Sequence, residues 1–94
     1  MMMTLSAVPC FRRGYRMQWE ETQQQHVILY PEGMAKLNES AAMILELVDG
    51  NASVDMIIET LNTRFPDAGG VDEDVIDFLQ AAYRQKWILL NDAK

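Results

Sequence analysis

Residues 26–50, HVILYPEGMAKLNESAAMILELVDG, decide the fold. The run His-Val-Ile-Leu-Tyr is rich in β-branched and aromatic residues and predicts a strand. In Tyr30-Pro31-Glu32-Gly33, proline sets φ near about −65° where a turn needs it, and glycine lets the chain leave the turn. Residues 34–37, Met-Ala-Lys-Leu, then predict a short third strand. Asn38 is a good N-cap, and Glu39 brings a negative charge to the positive end of a helix. The stretch AAMILELV that follows is apolar on almost every side, which predicts a helix buried between other elements. Asp49-Gly50 is expected to end that helix, with glycine in the left-handed C′ position. The stretch holds no nucleophile–base pair, metal-ligand cluster or phosphate loop. A short strand beside an apolar helical layer suits gripping a peptide better than reacting with a substrate.

Upstream, Tyr-Arg-Met-Gln-Trp-Glu alternates with period two and places Tyr15, Met17 and Trp19 on one face of a strand. The polar residues 20–25 suit a hairpin loop between this strand and the next. Residues 1–10 show no periodicity and read as a flexible tail. Downstream, Ser53 is expected to cap a second helix carrying Val54, Ile57, Ile58, Leu61 and Phe65, which Pro66 terminates. Residues 67–70 form a loop. A third helix follows near Asp72, with Val75, Phe78, Leu79 and Ala82 on one face, widened by Ile76 and Tyr83. Residues 87–90 are either a helix end or a short closing strand, and 91–94 are a C-terminal tail. The order β-β-β-α-α-α gives an α+β fold. It is a three-stranded antiparallel sheet followed by a three-helix bundle, winged helix-turn-helix-like, in a single domain over 11–90.

Composition narrows the function. A 94-residue chain is one small domain with a modest core. Its 49% hydrophobic content is that of a globular protein. Cys10 is the only cysteine, which fits a reducing compartment and excludes a disulfide scaffold. No apolar run approaches the ~20 residues of a membrane span. The start, MMMTLSAVPC, lacks the regions of a secretory signal, so a cytoplasmic protein is expected. The net charge of −6 repels phosphate backbones and argues against nucleic acid. His26 has no second histidine or nearby cysteine for a metal site. Only Arg12 and Arg13 lie near Cys10 to activate it. Asp72, Glu73 and Asp74 complement a helix dipole, and their charge opposes anion binding at Gly69-Gly70. No catalytic residue, metal site or cofactor is expected, and the chain does not read as an enzyme.

Several blocks together carry a family resemblance: residues 13–20 (RGYRMQWE), residues 26–45 (HVILYPEGMAKLNESAAMIL), Val48-Asp49-Gly50, and Asp74-Val75 with Phe78-Leu79. They closely resemble the PqqD family of pyrroloquinoline quinone (PQQ) biosynthesis, from about Phe11 to Leu90. The resemblance implies a non-catalytic adaptor, a peptide chaperone of the RiPP recognition element type. It would bind the ribosomal precursor peptide PqqA and present it to PqqE. That radical S-adenosylmethionine enzyme crosslinks a Glu and a Tyr of the peptide. In domains of this kind the peptide adds to the edge of the third strand and packs on the third helix.

Carried onto this chain, Met34, Ala35, Lys36 and Leu37 would supply the edge, whose unpaired backbone groups bind with little sequence demand. Val75, Phe78, Leu79, Ala82 and Tyr83 would supply the helical wall, although some must face inward. The breadth of the apolar stripe leaves open which face is free. Leu37→Pro is expected to remove an edge donor, provided that the Leu37 N–H points outward. An open edge also invites self-pairing, so a monomer and a weak or strand-swapped homodimer both remain compatible. The alternative function is a small carrier of the quinone or a pathway intermediate. A winged-helix nucleic-acid-binding protein ranks below it, because the third helix begins with Asp72, Glu73 and Asp74.

Overall fold

The computed structural model describes residues 4–92. Its elements are β1 (Ala7–Phe11), β2 (Arg16–Glu20), β3 (Gln25–Tyr30), β4 (Gly33–Lys36), α1 (Glu39–Glu46), α2 (Val54–Arg64), α3 (Asp72–Arg84) and β5 (Ile88–Asp92). A 3-10 turn at Pro66–Ala68 joins α2 to α3. The architecture is α+β, with the expected three-stranded antiparallel sheet, order β2-β3-β4, and three helices. A second sheet, the two-stranded ribbon β1-β5, was not anticipated.

That ribbon corrects the expected N-terminal tail. Residues 7–10 are not a free tail but most of β1, and Asn91 and Asp92 belong to β5. Residues 1–3 and 93–94 of the two expected tails lie outside the described residues. The pairing runs from Ala7↔Asp92 to Phe11↔Ile88. Pro9, which argues against a strand when read alone, is tolerated for a geometric reason. Arg12 N–H donates to the Trp87 carbonyl at 3.0 Å, just beyond the ribbon. Hydrogen-bonded pairs alternate along an antiparallel ladder, so position 9 opposite Leu90 is a non-bonded one. The missing N–H of Pro9 therefore faces away from β5. Its ring is fully buried instead. The piece at residues 87–90 resolves as a strand starting at Ile88.

The sheet follows the period-two reading. Met17↔Ile28 and Trp19↔His26 pair across β2 and β3, and Ile28↔Ala35 continues the row to β4. Tyr15 stacks on Tyr30 with ring centroids 5.6 Å apart, extending the same row beyond β2. This inner face meets α1, which packs on β3 and β2. Ile28 and Leu37 join Ile44, Leu45, Ile57 and Leu79 in one core. Each such side chain contributes about 1.5–3 kcal/mol through burial.

The helices begin as predicted and one ends early. Asn38 Oδ1 accepts from Ala41 N–H at 2.8 Å, and Ser53 Oγ accepts from Met56 N–H at 3.2 Å. The first helix was expected to reach Asp49-Gly50 but stops at Glu46. Leu47 and Val48 N–H donate to Ile44 and Leu45 carbonyls, both at 3.1 Å, so the last turn tightens to i→i−3 bonds. Asp49 Oδ1 then accepts from the N–H groups of Asn51 and Ala52, each at 2.8 Å. This local carboxylate–backbone turn competes with helix continuation. Gly50 sits within it at φ +81°, the left-handed conformation foreseen for a glycine there. The helix is also less enclosed than expected. Ala41, Ala42, Ile44 and Leu45 are buried, while Glu39, Ser40 and Glu46 are exposed.

Candidate functional site

Among the described residues strand β4 has one hydrogen-bonded neighbour, β3, so its other side is an edge. Its register is Val27↔Lys36, Ile28↔Ala35, Leu29↔Met34 and Tyr30↔Gly33, which leaves Pro31 and Glu32 as the hairpin loop. Just past the strand, Leu37 N–H donates to the His26 carbonyl at 3.0 Å. That bond sets the phase of the ladder. Position 37 is a bonded one, so 35 and 33 also point their backbone groups at β3, and 34 and 36 point theirs outward. The open edge therefore offers the N–H and C=O groups of Met34 and Lys36. The Met34 carbonyl already accepts a long bond from the Tyr30 hydroxyl at 3.5 Å.

The four edge residues divide by role. Met34 and Lys36 are exposed on the outer face of the sheet, and Met34 is 46% exposed. Ala35 is half-buried and packs against the core on the inner face. Leu37 is buried within the core. Its N–H points into the sheet, so Leu37→Pro would remove a ladder bond and not an edge donor.

The five residues on α3 do not form one surface. Val75, Leu79 and Ala82 are 1%, 0% and 1% exposed. They hold α3 against α2 and β5, the elements on which that helix packs. Phe78 is half-buried and Tyr83 is exposed. Val75 does reach one cleft, of about 90 Å³, between α1, α2 and the start of α3. Met43, Phe65 and Val71 line it as well. Sequence reasoning missed these three as site residues. Phe65 was assigned to the buried stripe of α2, yet it caps that helix and is 42% exposed.

The electrostatics of the described residues are simple. Asp72, Glu73, Asp74 and Asp77 are all exposed on α3. Asp49 has its carboxyl held below the usual carboxylate range by the backbone N–H groups of Ala52 and Asn51. His26 Nε2 lies 3.5 Å from Glu46 Oε1. Among the described residues no group of three His, Cys, Asp or Glu could hold a metal ion. None of their helices is long and apolar enough to cross a membrane. Cys10 is half-buried, with its Sγ accepting from Asn91 Nδ2 at 3.5 Å.

Comparison with known proteins gives this geometry a context. Residues 25–88 match the family model described as coenzyme PQQ synthesis protein D (PqqD). A PqqA binding protein from Klebsiella pneumoniae is 67% identical over 86 residues, covering 92% of this chain and 94% of that protein. One from Acinetobacter baylyi is 52% identical over 86 residues, covering 92% and 87%. A solved structure also matches, the solution NMR structure of the PqqD truncation of Methylobacterium extorquens PqqCD. It is described as a functional, stand-alone recognition element for ribosomally synthesized and post-translationally modified peptides. It aligns with a TM-score of 0.76 at 29% identity, covering 92% of this chain and 93% of that one. The matched residues run from β3 to the start of β5 and include the open edge, and the chain belongs to the PqqD family.

Proposed function

We propose that this chain is a non-catalytic, cytoplasmic adaptor that binds a PqqA precursor peptide as an added strand on β4. It presents the held peptide to a radical S-adenosylmethionine enzyme of the PqqE type. The observation that carries the reading is the phase of the ladder at Leu37, which leaves the backbone groups of Met34 and Lys36 facing outward. Relatives named PqqA binding protein, at 67% and 52% identity, supply the peptide. Exposed Met34, Lys36 and Tyr83 and half-buried Phe78 are the candidates open to contact. Leu37, Val75, Leu79 and Ala82 support the site from beneath. The same edge could pair with a second copy of the chain, so a homodimer would compete with the peptide.

The test is a titration with PqqA peptide followed by amide shifts and by calorimetry. Shifts at Met34 and Lys36 are expected, with smaller ones at the first turn of α3. Lys36→Pro deletes an outward N–H without touching the ladder, an edge position where proline is tolerated. It should weaken binding at least about tenfold, given one lost hydrogen bond and a blocked partner group. A folded Lys36→Pro protein that binds PqqA as tightly as the parent would overturn strand addition.

A further inference from the structure

We infer that a second cavity, between the far end of the β2–β3 hairpin and α1, receives a lysine or arginine side chain of the bound peptide. This rests on the strand-addition reading and extends it. The cavity has a volume of about 250 Å³. Sites for drug-sized ligands occupy roughly 300–1,000 Å³. The space is thus small for a cofactor and large enough for one long side chain.

Its chemistry selects the occupant. Leu37, Ala42 and Met43 give it an apolar lining, and Trp19 forms a wall. Trp19 is 46% exposed, although it belongs to the otherwise core-facing row of β2. Its Nε1–H donates to Glu21 Oε2 at 2.7 Å, and its ring meets His26 edge-on at 5.0 Å. Nearly half of the residue's surface is left open. Glu39 and Glu46 bring two carboxylates to the lining, which contains no lysine or arginine; His26 Nε2 lies 3.5 Å from Glu46 Oε1. A long aliphatic stem with a cationic head fits both parts, the stem on Leu37 and Met43 and the head toward the glutamates and the indole. A carboxylate or phosphate would be repelled, and a purely apolar side chain would leave the acidic rim unanswered.

Position links the cavity to the edge. Leu37 and Asn38, which line it, directly follow β4 in the chain. A peptide paired with Lys36 is one residue of chain from Leu37, which lines the cavity. Met43 also lines the smaller cleft beside α3, so one methionine on α1 borders both cavities.

The experiment uses the whole chain and PqqA peptides in which each lysine or arginine is replaced in turn by glutamine. The parent protein is compared with Glu39→Gln, Glu46→Gln and Trp19→Leu. One peptide position should lose about 3- to 10-fold in affinity, the scale of an exposed ion pair with a cation–π contact. The same loss should appear for Glu46→Gln with the parent peptide, and the two changes combined should cost no more than either alone. Salt should weaken the parent complex more than the Glu46→Gln one. In spectra, the Trp19 Nε1–H should move on peptide addition, with its assignment fixed by its absence from Trp19→Leu. If Met34 and Lys36 amides shift while the Trp19 indole stays still, the cavity inference is wrong and strand addition stands. Strictly additive losses at every basic position, or a peptide indifferent to all replacements, would also overturn it. Movement of the indole without edge shifts would overturn strand addition and, with it, the cavity inference that rests on it. A peptide that binds nowhere overturns both.

Discussion

The two edges of the three-stranded sheet differ in a way that backbone pairing alone does not reveal. The phase set by Leu37 leaves the outward groups of β4 on Met34 and Lys36, and the same alternation leaves those of β2 on Met17 and Trp19. Each edge therefore offers two residues' worth of outward-facing backbone groups. On β2 these residues point their side chains inward, and charged Arg16 and Glu20 stand at its two ends. Charges along an edge discourage strand pairing, and β2 carries two of them where β4 carries one, Lys36. On β4 the outward amides belong to residues whose side chains, a methionine and a lysine, lie on the open outer face. The comparison teaches that an edge is made receptive by its flanking side chains and not by its hydrogen-bonding capacity.

It also limits what the edge can do alone. Three or four backbone hydrogen bonds at about 0.5–1.5 kcal/mol each sum to roughly 2–6 kcal/mol. Micromolar affinity requires about 8 kcal/mol. Strand addition on so short an edge fixes the peptide's position, and side-chain contacts must supply the remaining affinity. The cleft at Met43 and Phe65 and the cavity at Trp19 lie where such contacts can form.

The largest effect that separates inward from outward backbone is a proline pair on β4. Leu37→Pro loses the ladder bond to His26 and a buried leucine side chain together, and should destabilise by about 3–5 kcal/mol. Lys36→Pro should cost less than about 1 kcal/mol in stability while losing the peptide. Thermal or urea unfolding of both variants reads the difference. Equal destabilisation would mean that the ladder phase is misassigned. Next in size is Leu79→Ala, expected to cost about 2–5 kcal/mol because the side chain is 0% exposed. If Leu79→Ala weakens PqqA binding without lowering the unfolding midpoint, α3 offers the peptide more than its buried face suggests. Asn38→Ala follows at about 1 kcal/mol, through loss of the 2.8 Å cap on Ala41 N–H at the end of β4.

How much of this was legible depended on the range of the interaction. Alternation placed β2, a run of β-branched and aromatic residues placed β3, and Pro31 with Gly33 placed the turn. Asn38 and Ser53 announced two helices through local capping chemistry, visible within four residues. The ribbon was not legible, because Ala7↔Asp92 joins opposite ends of the chain and Pro9 reads locally as a strand breaker. The direction of the Leu37 N–H was hidden for a related reason. Sequence gives the side-chain alternation of β4, but which amides face β3 depends on the register. On α3 the broad stripe contained both a core face, Val75, Leu79 and Ala82, and more open residues, Phe78 and Tyr83. Spacing could not divide them, since the division depends on where α2 and β5 pack.

The smallest effect concerns the turn that stops α1 short. Asp49 is exposed, and its carboxylate accepts from the Asn51 and Ala52 N–H groups, which lowers its pKa. The folded state then holds the Asp49 proton less tightly than the unfolded state, so stability must rise with pH through this range. The contribution is complete above the unfolded carboxyl pKa, about 3.9 for an aspartate. It disappears as pH falls through the lower folded value. Asp49→Asn keeps an acceptor oxygen but has no charge to titrate. Urea midpoints of the two proteins should differ by a constant amount from neutral pH to about pH 5. Below about pH 4 the parent should lose stability faster than the variant. A parent that instead gains on the variant as acid is added would show that the turn does not prefer the ionised carboxylate. The early stop of α1 would then have to be assigned to the i→i−3 bonds of Leu47 and Val48 alone.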